Sequence, residues 1–146
     1  MKCLIQRVTK ATVEVAGERV GAIDKGLLVF VGFEKGDDRA RVARMGERLL
    51  GYRLFSDSEG RMNQSIRDVA GDVLLVSQFT LAADTKKGAR PSFSSAAEPQ
   101  VARLFFDEFV ELMRAQHRGH IATGRFGANM QVSLVNDGPV TFLLET

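Results

Sequence analysis

The sequence has a single cysteine, Cys3, so no disulfide within the chain is possible. Cys3 lies in an apolar, strand-like run and reads as a small buried hydrophobe rather than a reactive thiol. The only two histidines, His117 and His120, stand three apart with no acid or thiol close in sequence. No zinc site is expected from them, and both read as structural or surface residues. Neither a metal nor a cofactor is expected. Long apolar runs are also missing. None approaches the roughly eighteen residues that a membrane helix needs, and the opening residues break into charge before a signal-peptide core forms. A cytoplasmic protein without membrane contact is expected. Charge of one sign is scarce too: the formal net charge is +2, too small to announce nucleic-acid binding by itself. The exception is local. Lys86, Lys87 and Arg90 cluster around Gly88, with Asp84 the only acid nearby. On charge alone this cluster reads either as a solvated loop or as a phosphate-contacting one.

The catalytic motifs of common hydrolases are absent. There is no Gly-x-Ser-x-Gly elbow and no His-Glu-x-x-His helix, and no acid, base and nucleophile can be read together. A hydrolase built this way would work through backbone donors and the substrate's own groups. Thr80 is a candidate nucleophile, but no evident base activates it. Backbone N–H groups near Phe79 and Thr80, forming an oxyanion hole, are the alternative.

What is present is one domain, residues 1–146, with 45% hydrophobic residues. Residues 2–8 and 11–15 read as two strands, and 19–23 continues the meander after a turn at 16–18. Residues 27–33 are nearly all apolar, as in a strand covered on both faces. Val42, Met45, Leu49 and Leu50 share one helical face, with Asp37 or Asp38 as the cap. A short strand is read at 52–55, an irregular connection at 61–72 and a buried-type strand at 73–77. Residues 82–98 lack periodicity, and a loop that long in a small domain suggests a task. A second helix starts near Pro99 with Val101, Leu104, Phe105, Phe109, Leu112 and Met113 on its apolar face. Strands at 121–123, 129–135 and 140–144 finish the chain. The expected fold is α+β: a mainly antiparallel, barrel-like sheet with two packed helices.

Two stretches remain. Ser77-Gln78-Phe79-Thr80-Leu81 puts polar groups at the mouth of a buried strand, with alternating side chains if the chain stays extended. Asn136-Asp137-Gly138-Pro139-Val140-Thr141 lies between two apolar-alternating runs and reads as a tight turn. A Gly-Pro bond is one of the few that can be cis at modest cost. In that isomer the Gly138 and Pro139 carbonyls can point the same way, as a clamp for an ammonium group. The residues alone leave cis and trans both open.

Together these stretches resemble the two signature motifs of the bacterial D-aminoacyl-tRNA deacylases, also called D-tyrosyl-tRNA deacylases. Leu4-Ile5-Gln6-Arg7-Val8, Leu50-Gly51-Tyr52-Arg53-Leu54-Phe55-Ser56-Asp57, Ala82-Ala83-Asp84-Thr85, Arg90-Pro91-Ser92-Phe93 and Thr123-Gly124-Arg125-Phe126 are similar to family segments in the same order. The resemblance implies an enzyme that hydrolyses the ester of D-aminoacyl-tRNA, and glycyl-tRNA as a further substrate. It implies a homodimer in which a cis Gly138-Pro139 enters the other subunit's site and excludes L-residues. It places Ser77, Gln78, Phe79 and Thr80 at the 3′-terminal adenosine and the ester carbonyl, with the terminal 2′-hydroxyl as a participant in catalysis. Met130 would line the pocket. Arg7 would orient the Gly-Pro turn, with Asn136 and Thr141 in support. Lys86, Lys87 and Arg90 would lie near tRNA phosphates. A rival reading is an RNA-binding module without turnover, supported by the basic loop and the missing catalytic set.

Overall fold

The computed structural model describes residues 1–86 and 88–146. Its centre is β1 (Lys2–Val15), one strand where the sequence suggested two. The N-terminal half of β1 pairs antiparallel with β3 (Gly26–Gly32), and its C-terminal half with β2 (Glu18–Ile23). On its other edge it pairs along its length with β8 (Gln131–Glu145). Beyond β3 the sheet continues through β6 (Asp72–Ser77) and β7 (Ile121–Thr123), both parallel to their neighbours. The sheet is therefore mixed: the pairings of β1 are antiparallel, as expected of most of the sheet, and those of β6 are parallel. β2 approaches β7 without pairing, which leaves a nearly closed barrel.

Two of the helices are those expected. In α1 (Arg39–Gly51), the Asp38 carboxylate accepts from the Arg41 N–H at 2.8 Å, satisfying a donor that the first turn leaves free. Val42, Met45, Leu49 and Leu50 are buried, as their spacing predicts. α3 (Pro99–Gln116) begins on Pro99, where a missing N–H costs nothing. Its buried face is Ala102, Phe105, Phe106, Phe109, Val110 and Met113. Val101 and Leu104, expected on that face, are exposed. The buried stripe is rotated by about one position, towards Phe106 and Val110, where the helix meets the sheet. The stretch at 61–72 is more regular than expected. It holds β5 (Met62–Ser65), paired with β4 (Arg53–Ser56), and a one-turn helix α2 (Ile66–Val69) closed by a Ser65–Asp68 capping box.

The core lies on both faces of β3 and β6. Leu27, Val29 and Val31 face α1 and α3 with Val73 and Leu75. Leu28, Leu74 and Val76 face the barrel interior with Val8, Val13 and Ile23. Both strands are thus covered on two sides, which is why they read as continuous apolar runs. Cys3 is fully buried, and burial pushes its thiol well above the ordinary range. The Met1 ammonium is buried as well and donates to Asp37 Oδ1 at 2.7 Å, Glu34 Oε2 at 3.2 Å and the Thr146 carbonyl at 3.2 Å.

Candidate active site

The 77–82 segment does not stay extended. β6 ends at Ser77, and Phe79–Ala82 forms a 3₁₀ turn. The Gln78 N–H donates to Val31 O at 2.7 Å, which anchors the turn on β3. Gly32 makes the seat, because a Cβ there would lie 2.9 Å from both Gln78 O and Leu81 Cβ. The first i→i+3 bond runs from Leu81 N–H to Gln78 O. The N–H groups of Phe79 and Thr80 precede it and have no partner inside the turn. Two adjacent backbone donors at a strand end can stabilise an oxyanion. The Gln78 amide donates to the Thr80 hydroxyl oxygen, occupying one of its lone pairs.

This turn borders a cavity of about 470 Å³. Ser77, Gln78 and Phe79 form one wall. Val76, Val132, Met130, Phe126, Ala128 and the start of α3 at Pro99 and Ala102 are among the residues that line the other sides. Among the described residues, no titratable side chain lines it. A wider groove of about 710 Å³ runs past Lys10, Arg19 and His120 at the outer side of β1, β2 and β8, away from the Ser77 turn.

The Gly-Pro segment is not a hairpin turn. β8 continues through it with β1 on the same edge before and after. Thr141 pairs with Gln6 and Asn136 with Val8, so β8 spends four residues, 137–140, opposite Arg7 alone. The excess bulges outward, and Gly138 and Pro139 are exposed. The apolar alternation on either side suggested two strands because a bulge and a hairpin interrupt a pattern alike. The Gly138-Pro139 bond is cis.

Side chains brace the bulge from both ends. Arg7 Nε donates to Asp137 O at 3.0 Å, and its Nη1 donates to Leu54 O on β4 at 2.7 Å. The Asp137 carboxylate is 3.4 Å from Arg7 Nε. Asn136 Oδ1 accepts from the Val140 N–H at 3.2 Å, while its Nδ2 donates to Thr141 Oγ1 at 3.1 Å. Gly138 has φ +136°, and a Cβ on it would lie 2.6 Å from Val140 Cγ2 and 3.3 Å from Arg7 Nη2. A fork-shaped guanidinium, an amide and a hydroxyl thus hold a main-chain projection in one shape.

The structure brings the site residues together in two groups, not one. Ser77, Gln78, Phe79 and Met130 meet around the cavity, with Thr80 next to them in the turn and bonded to Gln78, whereas Arg7, Asn136, Gly138, Pro139 and Thr141 meet at the bulge. Asn136 is four residues along β8 from the cavity-lining Val132, roughly 13 Å at a strand's rise. A third group is an arm: Asp84 and Ser92 exchange backbone bonds of 2.8 and 3.0 Å, and Lys86 and Arg90 lie exposed between them. Lys87 lies outside the described residues.

Residues 4–145 match the family model described as D-Tyr-tRNA(Tyr) deacylase. The chain belongs to the D-Tyr-tRNA(Tyr) deacylase family. A D-aminoacyl-tRNA deacylase of Ectopseudomonas mendocina is 65% identical over 145 residues, covering 99% of each chain. One of Teredinibacter turnerae is 60% identical over 146 residues, the whole of both chains. Among solved structures, a "c-Myc DNA Unwinding Element Binding Protein" is 40% identical and superposes with a TM-score of 0.96, covering 100% of this chain and 99% of its own. Within this deacylase-family chain, sequence reasoning missed the seat at Gly32 and the two carbonyls that fix Arg7. Gly32 carried a weak signal, a glycine ending an apolar strand. The carbonyls carried none, since any residue supplies one.

Proposed function

We propose that this chain hydrolyses the ester between a D-amino acid and the 3′-terminal adenosine of tRNA, releasing free amino acid and tRNA, and acts in chiral proofreading of translation in the cytoplasm. The cavity receives the adenosine, and the Phe79 and Thr80 N–H groups face the ester oxygen. The Gly138 and Pro139 carbonyls accept hydrogen bonds from the α-ammonium. An L side chain then runs into the clamp, while a D side chain points away. Glycine has no side chain to exclude, so glycyl-tRNA is a substrate too. One observation carries the reading. The braced bulge is exposed and stands apart from the cavity of its own chain. A homodimer completes the site, each chain offering its bulge to the other's cavity. β8 supports this, because among the described residues it pairs with β1 alone, and it carries exposed Val135 and Leu143. Multiple turnover tests the reaction: catalytic protein should release many equivalents of D-tyrosine from D-tyrosyl-tRNA. Release stopping at one equivalent would favour a binding module.

The absence of a titratable group at the cavity bears on the attack. Among the described residues, the hydrogen bond recorded at the Thr80 hydroxyl is the one donated by the Gln78 amide, not one to a base. The substrate's terminal 2′-hydroxyl therefore assists the water, and the protein supplies positioning and oxyanion donors. Thr80→Val should keep its rate within about threefold, whereas loss of a true nucleophile costs several orders of magnitude. Single-turnover kinetics on the variant decide this.

The basic arm is assigned to tRNA phosphates. The double variant Lys86→Ala, Arg90→Ala should raise KM and leave kcat unchanged. The slope of log(kcat/KM) against log[salt] should flatten by about one to two, as expected for one or two lost phosphate contacts. An unchanged slope would return the arm to a solvated loop.

A further inference from the structure

Two large aromatic side chains stand in solvent at the mouth of the cavity. Phe79 is 60% exposed and Phe93 is 42% exposed. Their ring centroids are 5.1 Å apart and the planes are inclined by 50°. Phe79 also lines the cavity, so the pair begins inside it and extends outwards. Phe93 follows the Asp84–Ser92 bridge, at the base of the arm that carries Lys86 and Arg90. Its backbone is tied down there: its carbonyl accepts from the Ala96 N–H at 3.0 Å, and the Ala97 N–H donates to Phe33 O at 3.0 Å. An exposed aromatic pair at the base of an arm that carries basic residues matches the way proteins hold single-stranded nucleic acid, with bases on ring faces and phosphates on cations.

The occupant follows from the size of the cavity and from the substrate. About 470 Å³ accommodates one nucleoside with its amino acid. The rest of the single-stranded tRNA end must leave across the mouth, and the first base outside meets this pair. We propose that Phe79 and Phe93 form a stacking platform for the nucleotide that precedes the terminal adenosine. Phe93 is then a positioning residue for the reaction. This rests on the reading that the cavity holds that adenosine.

The test compares three D-tyrosyl esters: of tRNA, of the dinucleotide CpA and of adenosine. Phe93→Ala should raise KM roughly tenfold for the tRNA and CpA esters, the usual scale for one lost base–aromatic stack. It should leave kcat and the adenosine ester unchanged, and Phe93→Tyr should restore the wild-type values. Wild-type protein should also bind the CpA ester more tightly than the adenosine ester. Equal losses on all three esters would make Phe93 a support for the cavity and overturn the platform, as would no loss on any. A fall in sedimentation mass on Phe93→Ala would assign the pair to a second copy of the chain instead. If wild-type protein hydrolyses all three esters with one KM, the platform fails and the deacylase reading stands. If it hydrolyses none, both fail.

Discussion

Gly138→Ala is expected to lower kcat/KM for D-tyrosyl-tRNA by about two orders of magnitude, a scale typical of misplacing reacting groups by an ångström. The fold should survive. At φ +136° an L side chain is strained, and the new Cβ would press on Val140 and on the Arg7 guanidinium. The cost of such a conformation, about 1–3 kcal/mol, is relieved most simply by moving the bulge. β8 remains paired with β1 on both sides of it, so the displacement stays local. Circular dichroism should be unchanged, while the preference for the D-ester over the L-ester falls. A dimer completed by exchange of bulges has a further signature. Gly138→Ala subunits have a sound cavity, whereas Ala128→Trp subunits have a filled cavity and a sound bulge. Each alone should be about a hundredfold or more below wild type. Mixed dimers should regain activity, because one of their two sites combines the sound parts. Failure of the mixture to recover would place bulge and cavity of one chain in the same site.

The second large effect belongs to Arg7. Its side chain joins Asp137 O in the bulge to Leu54 O on β4, with the Asp137 carboxylate beside it. Arg7→Ala frees both carbonyls and removes two charge-assisted bonds, each worth about 1.5–3 kcal/mol in a typical protein. Activity on the D-ester should fall roughly ten- to a hundredfold through loss of positioning. Melting should drop by several degrees. Arg7→Lys should not rescue activity, since a point ammonium cannot reproduce a fork that reaches two acceptors in different strands. A variant that unfolds would be uninformative by activity alone. The deciding readout is therefore the ratio of D to L rates in protein that still folds, which should decline with the loss of the brace. An unchanged ratio would make Arg7 a purely structural residue.

How far the sequence carried these conclusions depends on the range of the interaction. α1 was legible because Asp38 and the Val42, Met45, Leu49 and Leu50 spacing act within a few residues. β3 and β6 were legible because burial on both faces leaves continuous apolar runs. The face of α3 was misread at Val101 and Leu104, since periodicity marks an apolar arc but not which part of it meets the sheet. The bulge was misread as a hairpin for a similar reason. Whether the chain reverses after Pro139 is decided by pairing with β1, 130 residues earlier, where Arg7 reaches Asp137. The end of β6 at Ser77 was legible, but the 3₁₀ turn after it was not, because polar residues after an apolar run fit an extended strand and a 3₁₀ turn equally well. The motif residues themselves were visible. What the structure adds is their division between a cavity and a projection, which no local pattern encodes.

The most direct measurement is a paired assay with D-tyrosyl-tRNA and L-tyrosyl-tRNA, catalytic amounts of protein and a chelator present. The expected result is rapid loss of the D-ester over many turnovers while the L-ester survives at its spontaneous rate. Loss of both esters at similar rates would contradict chiral selection by the Gly138-Pro139 carbonyls. Loss of neither would contradict the hydrolase and leave a protein that binds tRNA without cleaving its ester.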